Sequence, residues 1–179
     1  MPKIAAFCSF FPSVEALSAD DNEIKRFHFP GRLLRYMFHL RQLSLEGNAI
    51  GTLEDLRDLA SLPVLEGLFL KHNDIACTYP TTVAADSSPI VFSPSMTELD
   101  LTVNKVSEWS FLDRLHHIFP GLDSLHLSGN PVYDHLKTAD GASPDVDDAF
   151  MFTLARVKCL TFLNHSKVLL RIREIRING

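Results

Sequence analysis

The stretch LRQLSLEGNAI, residues 40–50, places leucines and one asparagine on a fixed lattice. Leucine occupies the first, fourth and sixth positions, and asparagine occupies the ninth. The pair Leu43 and Leu45 has a period of two, which predicts a short β-strand with one buried face. Asn48 is unfavourable inside a helix but suits a turn, where its amide bonds otherwise unpaired backbone groups. The stretch therefore predicts a strand followed by an asparagine turn.

The same lattice occurs five times along the chain. The other four copies are VEALSADDNEI at 14–24, LEGLFLKHNDI at 65–75, MTELDLTVNKV at 96–106 and LDSLHLSGNPV at 122–132. Their second apolar positions follow one another at steps of 26, 25, 31 and 26 residues, at Leu17, Leu43, Leu68, Leu99 and Leu125. A repeated unit of this length and pattern is the leucine-rich repeat.

The segments between the strands carry helical spacing. TLEDLRDLASLPVL, residues 52–65, begins with Thr52 as a candidate N-cap and has an apolar stripe at Leu53, Leu56 and Leu59. SEWSFLDRLHHIFPGL, residues 107–122, repeats this arrangement, with Ser107 or Ser110 as its candidate N-cap. Its apolar stripe is Leu112, Leu115 and Ile118 or Phe119, and Pro120 is expected to end the helix. Such units bury their apolar faces only by stacking, which predicts an α/β solenoid with a parallel concave sheet and convex helices.

The repeats set the expected domain boundaries. About five repeats and a degenerate terminal one, at Val157, Leu160, Leu163 and Asn164, are expected to fill residues 1–168. Residues 77–95 interrupt the third coil as an irregular insertion, either a plain surface loop or a partner-contacting one. Residues 169–179 form a tail that could be an edge strand, a short helix or a disordered end. Only 13 residues precede the first repeat, so we expect a piece of a longer protein.

Composition excludes several classes of function. A net charge of −5 and a pI near 5.9 argue against a mainly electrostatic nucleic-acid binder, and no apolar run approaches the 18 residues of a membrane span. Three cysteines without a CxxC pair favour reduced thiols in the cytosol over disulfides or zinc. His116 and His117 lack a third ligand at useful spacing. With no phosphate-binding or nucleophile motif present, we expect neither an enzyme nor a cofactor.

Residues between and after the strand leucines are the candidates for partner binding. They would line the concave face over about 20 Å, which suits a protein surface better than a small metabolite. Phe69 is the expected anchor, unless it packs under the insertion. Asp100 and His126 share one column, which predicts a charge pair rather than an acid–base dyad. The full candidate set is Asp20, Ser44, Glu46, Phe69, Lys71, Asp100 and His126.

The five lattice asparagines form a second set, with a structural role. Their amides are expected to align into a ladder that bonds the backbone of adjacent coils. The set is Asn22, Asn48, Asn73, Asn104 and Asn130.

Two segments resemble one particular family of these repeats. They are residues 99–134 and 149–164. The resembling features are NKV followed by Trp109 and Phe111, FPGL at 119–122, SGNP at 128–131, LAR at 154–156 and LN at 163–164. The chain resembles the leucine-rich-repeat domain of tubulin-specific chaperone E, also called tubulin-folding cofactor E, and especially its fungal forms.

The resemblance implies a non-catalytic chaperone, cytoplasmic and associated with the cytoskeleton. Its implied partners are α-tubulin and the other tubulin-folding cofactors, during assembly and disassembly of the αβ heterodimer, with no nucleic acid and no membrane. The family's CAP-Gly and ubiquitin-like domains are not found in these 179 residues. The alternative is another leucine-rich-repeat adaptor, of the phosphatase-1 regulatory or spliceosomal scaffold type, although those favour repeats of about 22 residues. A hydrolase using Asp100 and His126 is the remaining alternative.

Overall fold

The computed structural model describes residues 13–27, 37–79, 88–134 and 146–168. In these ranges seven short strands form one sheet whose order follows the chain. The strands are β1 (Ala16–Ser18), β2 (Gln42–Ser44), β3 (Gly67–Phe69), β4 (Glu98–Asp100), β5 (Ser124–His126), β6 (Phe162–Leu163) and β7 (Ser166–Lys167). Strands β1 to β6 are parallel. The predicted parallel leucine-rich-repeat solenoid is therefore confirmed.

The strand leucines are register partners across the whole parallel sheet. Leu43 pairs with Leu17 and Leu68, and Leu125 pairs with Leu99 and Leu163. Because side chains alternate along a strand, this register puts each coil's leucines into one core and its intervening residues onto the opposite face. The fully buried pairs are Leu43 and Leu45, Leu68 and Leu70, Leu99 and Leu101, and Leu125 and Leu127. Stacked coils therefore share a continuous core.

A 3₁₀ helix, Leu53–Ser61, fills the outer side of the second coil. Thr52 caps it as predicted: its hydroxyl accepts the Asp55 amide, and the Asp55 carboxylate accepts the Thr52 amide in return. The predicted stripe of Leu53, Leu56 and Leu59 is fully buried. The helix is 3₁₀ over nine residues, a length that is uncommon for this tighter form.

Helix α1 (Trp109–Ile118) covers the outer side of the fourth coil. The expected stripe is buried, and the helix ends before Pro120. The prediction of Ser107 or Ser110 as its N-cap was wrong, since the cap is Glu108, whose side chain makes no capping hydrogen bond. The extended backbone of Glu108 already turns the chain into the helix, and Ser110 lies within the first turn.

Helix α2 (Val146–Arg156) packs beside α1, where the Phe152 ring lies 6.3 Å from the Trp109 ring between centroids. Trp109 meets Tyr133 edge to face at 5.9 Å between ring centroids, and the Arg156 guanidinium lies 5.1 Å from the Trp109 ring. Arg156 also donates two 2.9 Å hydrogen bonds to the Asp113 carboxylate. Tyr133, in the 3₁₀ turn Pro131–Tyr133, has its hydroxyl 2.8 Å from that of Thr153. Trp109, together with Arg156 from the LAR sequence at 154–156, thus joins the two helices.

The terminal repeat packs into the core and ends in a reversal. Val157, Leu160 and Leu163 are buried, and β6 continues the parallel sheet. Asn164 and His165 both have positive φ, at 48° and 66°, as a two-residue hairpin turn requires. The chain therefore turns back, and β7 pairs antiparallel with β6, which the repeat pattern did not predict. The tail at 169–179 lies outside the described residues.

The insertion is less irregular than expected. The Phe92 ring stacks on Phe119 at 4.6 Å between centroids, and the Phe92 amide donates to the Ile118 carbonyl at 2.8 Å. Ile90 is buried as well. The expectation of a wholly surface segment was therefore wrong at Ile90 and Phe92, whose side chains pack into the core beside the end of α1, whereas Val91 between them is 50% exposed. Residues 80–87 lie outside the described ranges.

Candidate functional site

The concave face consists of the residues that alternate with the buried strand leucines. In the register, Ser44 pairs with Ser18 and with Phe69, and Asp100 pairs with Phe69 and with His126. One column of the predicted site is thus continuous across β1 to β5. Glu46 and Lys71 follow two residues after their column members and are both half-buried. The sheet therefore brings the predicted residues onto one surface.

Asp20 joins the first two coils at one end of this face. Its carboxylate accepts hydrogen bonds from the Ser44 hydroxyl at 2.5 Å, the Ser18 hydroxyl at 2.7 Å and the Glu46 amide at 2.8 Å. Partial burial acts to raise the pKa of Asp20, but these hydrogen bonds outweigh it and hold the pKa below its ordinary value. The carboxylate is therefore engaged within the fold, and so is the Ser44 hydroxyl.

The asparagine amides connect each coil to the one before it. Asn73 accepts the Ile50 amide at 3.0 Å and donates to the carbonyls of Leu45 and Leu70 at 2.8 and 3.0 Å. Asn48, Asn104 and Asn130 repeat this arrangement. Asn22 differs, because it is exposed and its side chain donates only to the Asp20 carbonyl, at 2.6 Å. The interlocking amides among the described coils therefore begin at Asn48.

Phe69 lies at the middle of the concave face. Its side chain is half-buried, and a Cβ added to Gly67 would come within 3.2 Å of its ring carbons. The ring therefore lies along its own strand, over the glycine two residues earlier. A glycine at this position leaves room for the aromatic ring on the face of the sheet.

The carboxylate that approaches His126 belongs to Glu98. Glu98 Oε1 is 3.7 Å from His126 Nε2, whereas Asp100 Oδ1 accepts the Thr102 amide at 2.8 Å. The expected charge pair between Asp100 and His126 was therefore wrong: Asp100 is held by its own turn. Desolvation by burial lowers the pKa of His126, with the nearby His165 ring acting in the same direction and Asp100 and Glu98 opposing both. The imidazole is consequently neutral at neutral pH.

A depression of about 420 Å³ opens beside His126, at the end of the concave face formed by β4 to β6. We call it the C-terminal pocket, and its principal lining residues are Glu98, Asp123, His126, Phe162 and His165. Phe162 is 40% exposed. Sequence reasoning placed Glu98 among the acidic residues of the face but missed Asp123 and Phe162, although Phe162 precedes Leu163 just as Glu98 precedes Leu99. Aligning the degenerate repeat with the others would have placed Phe162 on this face.

The described residues do not form a metal centre. Across residues 13–27, 37–79, 88–134 and 146–168, no group of three histidine, cysteine or acidic side chains is arranged to bind a metal. His116 and His117 lie exposed on α1 with their ring centroids 3.7 Å apart. Cys77 is half-buried and Cys159 is exposed, and burial raises the pKa of the Cys77 thiol. In this part of the chain, no helix has the length and apolar character needed to span a membrane.

Similar proteins support the sequence resemblance. The chain is 26% identical to tubulin-specific chaperone E of Xenopus laevis over 93% of its length, covering 29% of that protein. It is 30% identical to the tubulin-specific chaperone cofactor E-like protein of Rattus norvegicus over 77% of its length, covering 36% of that protein. It is 31% identical to tubulin-folding cofactor E of Arabidopsis thaliana over 75% of its length, covering 24% of that protein. The chain thus spans between a quarter and about a third of these relatives, and the resemblance to cofactor E is confirmed.

A solved structure supports the fold. A chain of the Drosophila melanogaster SNF/U2A′ complex superposes with a TM-score of 0.65, covering 90% of this chain and 79% of the other at 20% identity. At that identity the likeness establishes the fold alone. No family model matches the sequence.

Proposed function

We propose, because the chain resembles tubulin-folding cofactor E proteins over most of its length, that it is a non-catalytic module whose concave face binds α-tubulin. The binding would serve assembly and disassembly of the αβ heterodimer, in the cytoplasm, near the cytoskeleton and together with other tubulin-folding cofactors. One observation carries this proposal: three relatives that are 26%, 30% and 31% identical over 93%, 77% and 75% of the chain all have names that specify tubulin chaperones or cofactors.

The geometry of the concave face is compatible with a protein partner. Adjacent strands about 4.8 Å apart give five strands a span of about 20 Å, which is the scale of a protein contact. The face combines the half-buried Phe69, the exposed Phe162 and both signs of charge at Glu46 and Lys71. Aromatic side chains with polar neighbours are typical of residues that anchor interfaces.

The chemistry on this face supports a non-catalytic role. A histidine general base needs a carboxylate to orient it and a nucleophile within reach. Asp100 is held by the Thr102 amide, and His126 is 94% buried, since its exposed fraction is 6%. The residues considered for a hydrolase are therefore not arranged as an acid–base dyad.

A charge exchange tests the role of the concave face. Glu46→Lys combined with Lys71→Glu keeps the net charge and reverses the pattern at the centre of the face. We expect this double variant to retain purified αβ-tubulin at least about tenfold more weakly than the original chain in a pull-down, because interfacial charges of the wrong sign oppose docking. Circular dichroism spectra and unfolding midpoints should match, since both side chains lie on the surface.

The matched control exchanges Asp74 and Lys105, an exposed ion pair with atoms 2.6 Å apart. Asp74→Lys with Lys105→Asp restores the pair in the opposite direction, away from the concave columns. Tubulin retention should stay within about twofold of the original, because exposed pairs contribute little. Equal retention by the concave-face variant and this control would show that tubulin does not dock on the concave face. Absence of tubulin retention by the original chain would refute the proposed function itself.

A further inference from the structure

The C-terminal pocket contains two carboxylates without a cationic side chain beside them. Glu98 Oε1 lies 3.7 Å from Nε2 of the neutral His126, and Asp123 lines the same depression. Among the residues that the structure describes, no lysine or arginine lies within 4.0 Å of either carboxylate. The pocket therefore concentrates negative charge in a concave site.

The N-terminal part of the sheet has an arginine at the repeat position that Asp123 occupies in the pocket. Asp123 directly precedes β5 just as Arg41 directly precedes β2, so the two residues belong to the same column of the repeat. Arg41 lies between Glu15 and Glu66: it forms an ion pair with Glu66 and is 4.0 Å from Glu15. This column thus holds a guanidinium between two carboxylates at one end of the sheet, and the carboxylate of Asp123 between Thr97 and Thr161 at the other.

The pocket also contains a buried polar group with no partner. His126 lines the pocket and is 6% exposed, and its Nδ1 atom has no hydrogen-bond partner among the residues that the structure describes. A neutral imidazole with its proton on Nε2, toward Glu98, leaves Nδ1 as an acceptor. An acceptor left unpaired in a buried position is costly, and this imidazole lies in the wall of the pocket beside the Glu98 carboxylate.

The aromatic wall narrows the choice of ligand. Phe162 is 40% exposed and lies in the pocket with Glu98 and Asp123. A guanidinium is planar, stacks on aromatic faces and bonds carboxylates through a fixed set of donors, whereas an ammonium is a strongly hydrated point charge. Two carboxylates and an aromatic ring together match a guanidinium better than an ammonium.

We propose that the C-terminal pocket receives an arginine side chain from the protein partner, held by the carboxylates of Glu98 and Asp123 against the ring of Phe162. This assignment rests on the proposed function in that the arginine is presented by tubulin. The preference for arginine over lysine is a property of the pocket and is measurable without tubulin.

The direct test uses small probes on the full chain labelled with ¹⁵N. N-acetyl-arginine amide should give saturable shifts of the backbone amides of Ser124, His126 and Phe162. N-acetyl-lysine amide should bind at least about fivefold more weakly, and the neutral N-acetyl-citrulline amide should not saturate. Equal affinities for the three probes would overturn the proposal.

Substitutions in the C-terminal pocket test whether the amide chemical-shift changes arise from binding of the probe there. Glu98→Gln with Asp123→Asn should abolish saturation by the arginine probe, and Phe162→Ala should weaken binding at least about threefold. The control, Glu23→Gln with Glu108→Gln, removes two negative charges from exposed side chains outside the pocket and should leave the affinity unchanged. Unaltered amide shifts in β1 to β3 confirm that the variants fold. Arginine binding that survives the Glu98 and Asp123 substitutions would refute the assignment.

The tubulin pull-down separates the two proposals. Arginine binding without tubulin retention by the original chain would refute the proposed function and support the pocket. If the original chain does not bind the arginine probe, and the Glu98 and Asp123 double variant retains tubulin as well as the original chain, the pocket assignment is refuted while tubulin binding stays in place. Loss of both in that variant is the expected result.

Discussion

At the residue scale, short polar side chains fix the backbone between coils. Asn73 satisfies one amide of the preceding coil and two carbonyls with a single side chain. Asp20 has a similar role at the first coil, where its carboxylate accepts hydrogen bonds from two hydroxyl groups and one backbone amide. Both residues connect groups more than 20 positions apart in sequence. Their contribution is therefore to tertiary stability, although each occupies a turn.

Asn73→Ala should lower the free energy of unfolding by about 1 to 3 kcal/mol, because it leaves buried backbone groups unpaired. Urea unfolding measures this loss. Asn22→Ala is the matched control, since the Asn22 side chain is exposed and donates only to the Asp20 carbonyl. It should cost less than about 0.5 kcal/mol. Equal losses for the two variants would contradict the interlocking role of the buried amides.

Asp20→Asn should destabilise the protein at pH 7 by about 1 kcal/mol, because charged acceptors bond more strongly than neutral ones. The folded-state pKa of Asp20 lies below its ordinary value of 3.8. The stabilisation is therefore fully present above pH 3.8 and is lost as the pH falls through the lower folded-state pKa. Urea unfolding of both proteins between pH 3 and 7 should show the difference shrinking toward the acid end. A difference that is constant across this range would contradict the assignment.

At the element scale, one close contact between two backbone segments fixes the position of the insertion. A Cβ at Gly121 would lie 1.9 Å from the Pro94 carbonyl oxygen, so the FPGL turn and the end of the insertion fit together only with glycine there. Phe92 stacks on Phe119 beside this contact. The two segments therefore pack as one unit, although they are separate in the repeat pattern.

Gly121→Ala should lower the free energy of unfolding by about 1 to 3 kcal/mol, since one backbone segment must shift to admit the methyl group. Gly51→Ala is the control, because a Cβ there meets only the Asp55 carboxylate, at 3.9 Å, which is ordinary contact. Its effect should stay within about 0.5 kcal/mol. Thermal unfolding of both variants compares them, and similar midpoints would show that the insertion is not held against the FPGL turn.

At the scale of the whole molecule, periodicity predicted most of the fold. Leu43 and Leu45 identify strand, buried face and repeat, because burial of the same positions in every coil leaves a regular trace in the sequence. The repeat pattern could not predict that Phe92 packs in the core, because this packing depends on a contact specific to one coil. The capping of α1 at Glu108 is likewise set by backbone conformation.

The predicted site was recovered in part. The register does bring Phe69, Asp100 and His126 onto one face. Spacing alone did not show that Glu98, rather than Asp100, reaches His126. That difference depends on Asp100 bonding the Thr102 amide of its own turn. The C-terminal pocket was not predicted, because the last repeat departs from the pattern and Phe162 was therefore not aligned with the residues of the concave face.

Among the residues that the structure describes, β7 is the last strand of the sheet, and it reverses the strand direction. Strands β1 to β6 all run the same way, and β7 runs against them. A second copy adding its own strand here, in continuation of the parallel lattice, would meet a neighbour of opposite polarity. Head-to-tail addition that repeats one contact is what produces open filaments. The hairpin therefore changes the contact available to such an addition, because a strand that follows the direction of β1 to β6 would pair with β7 in the antiparallel sense.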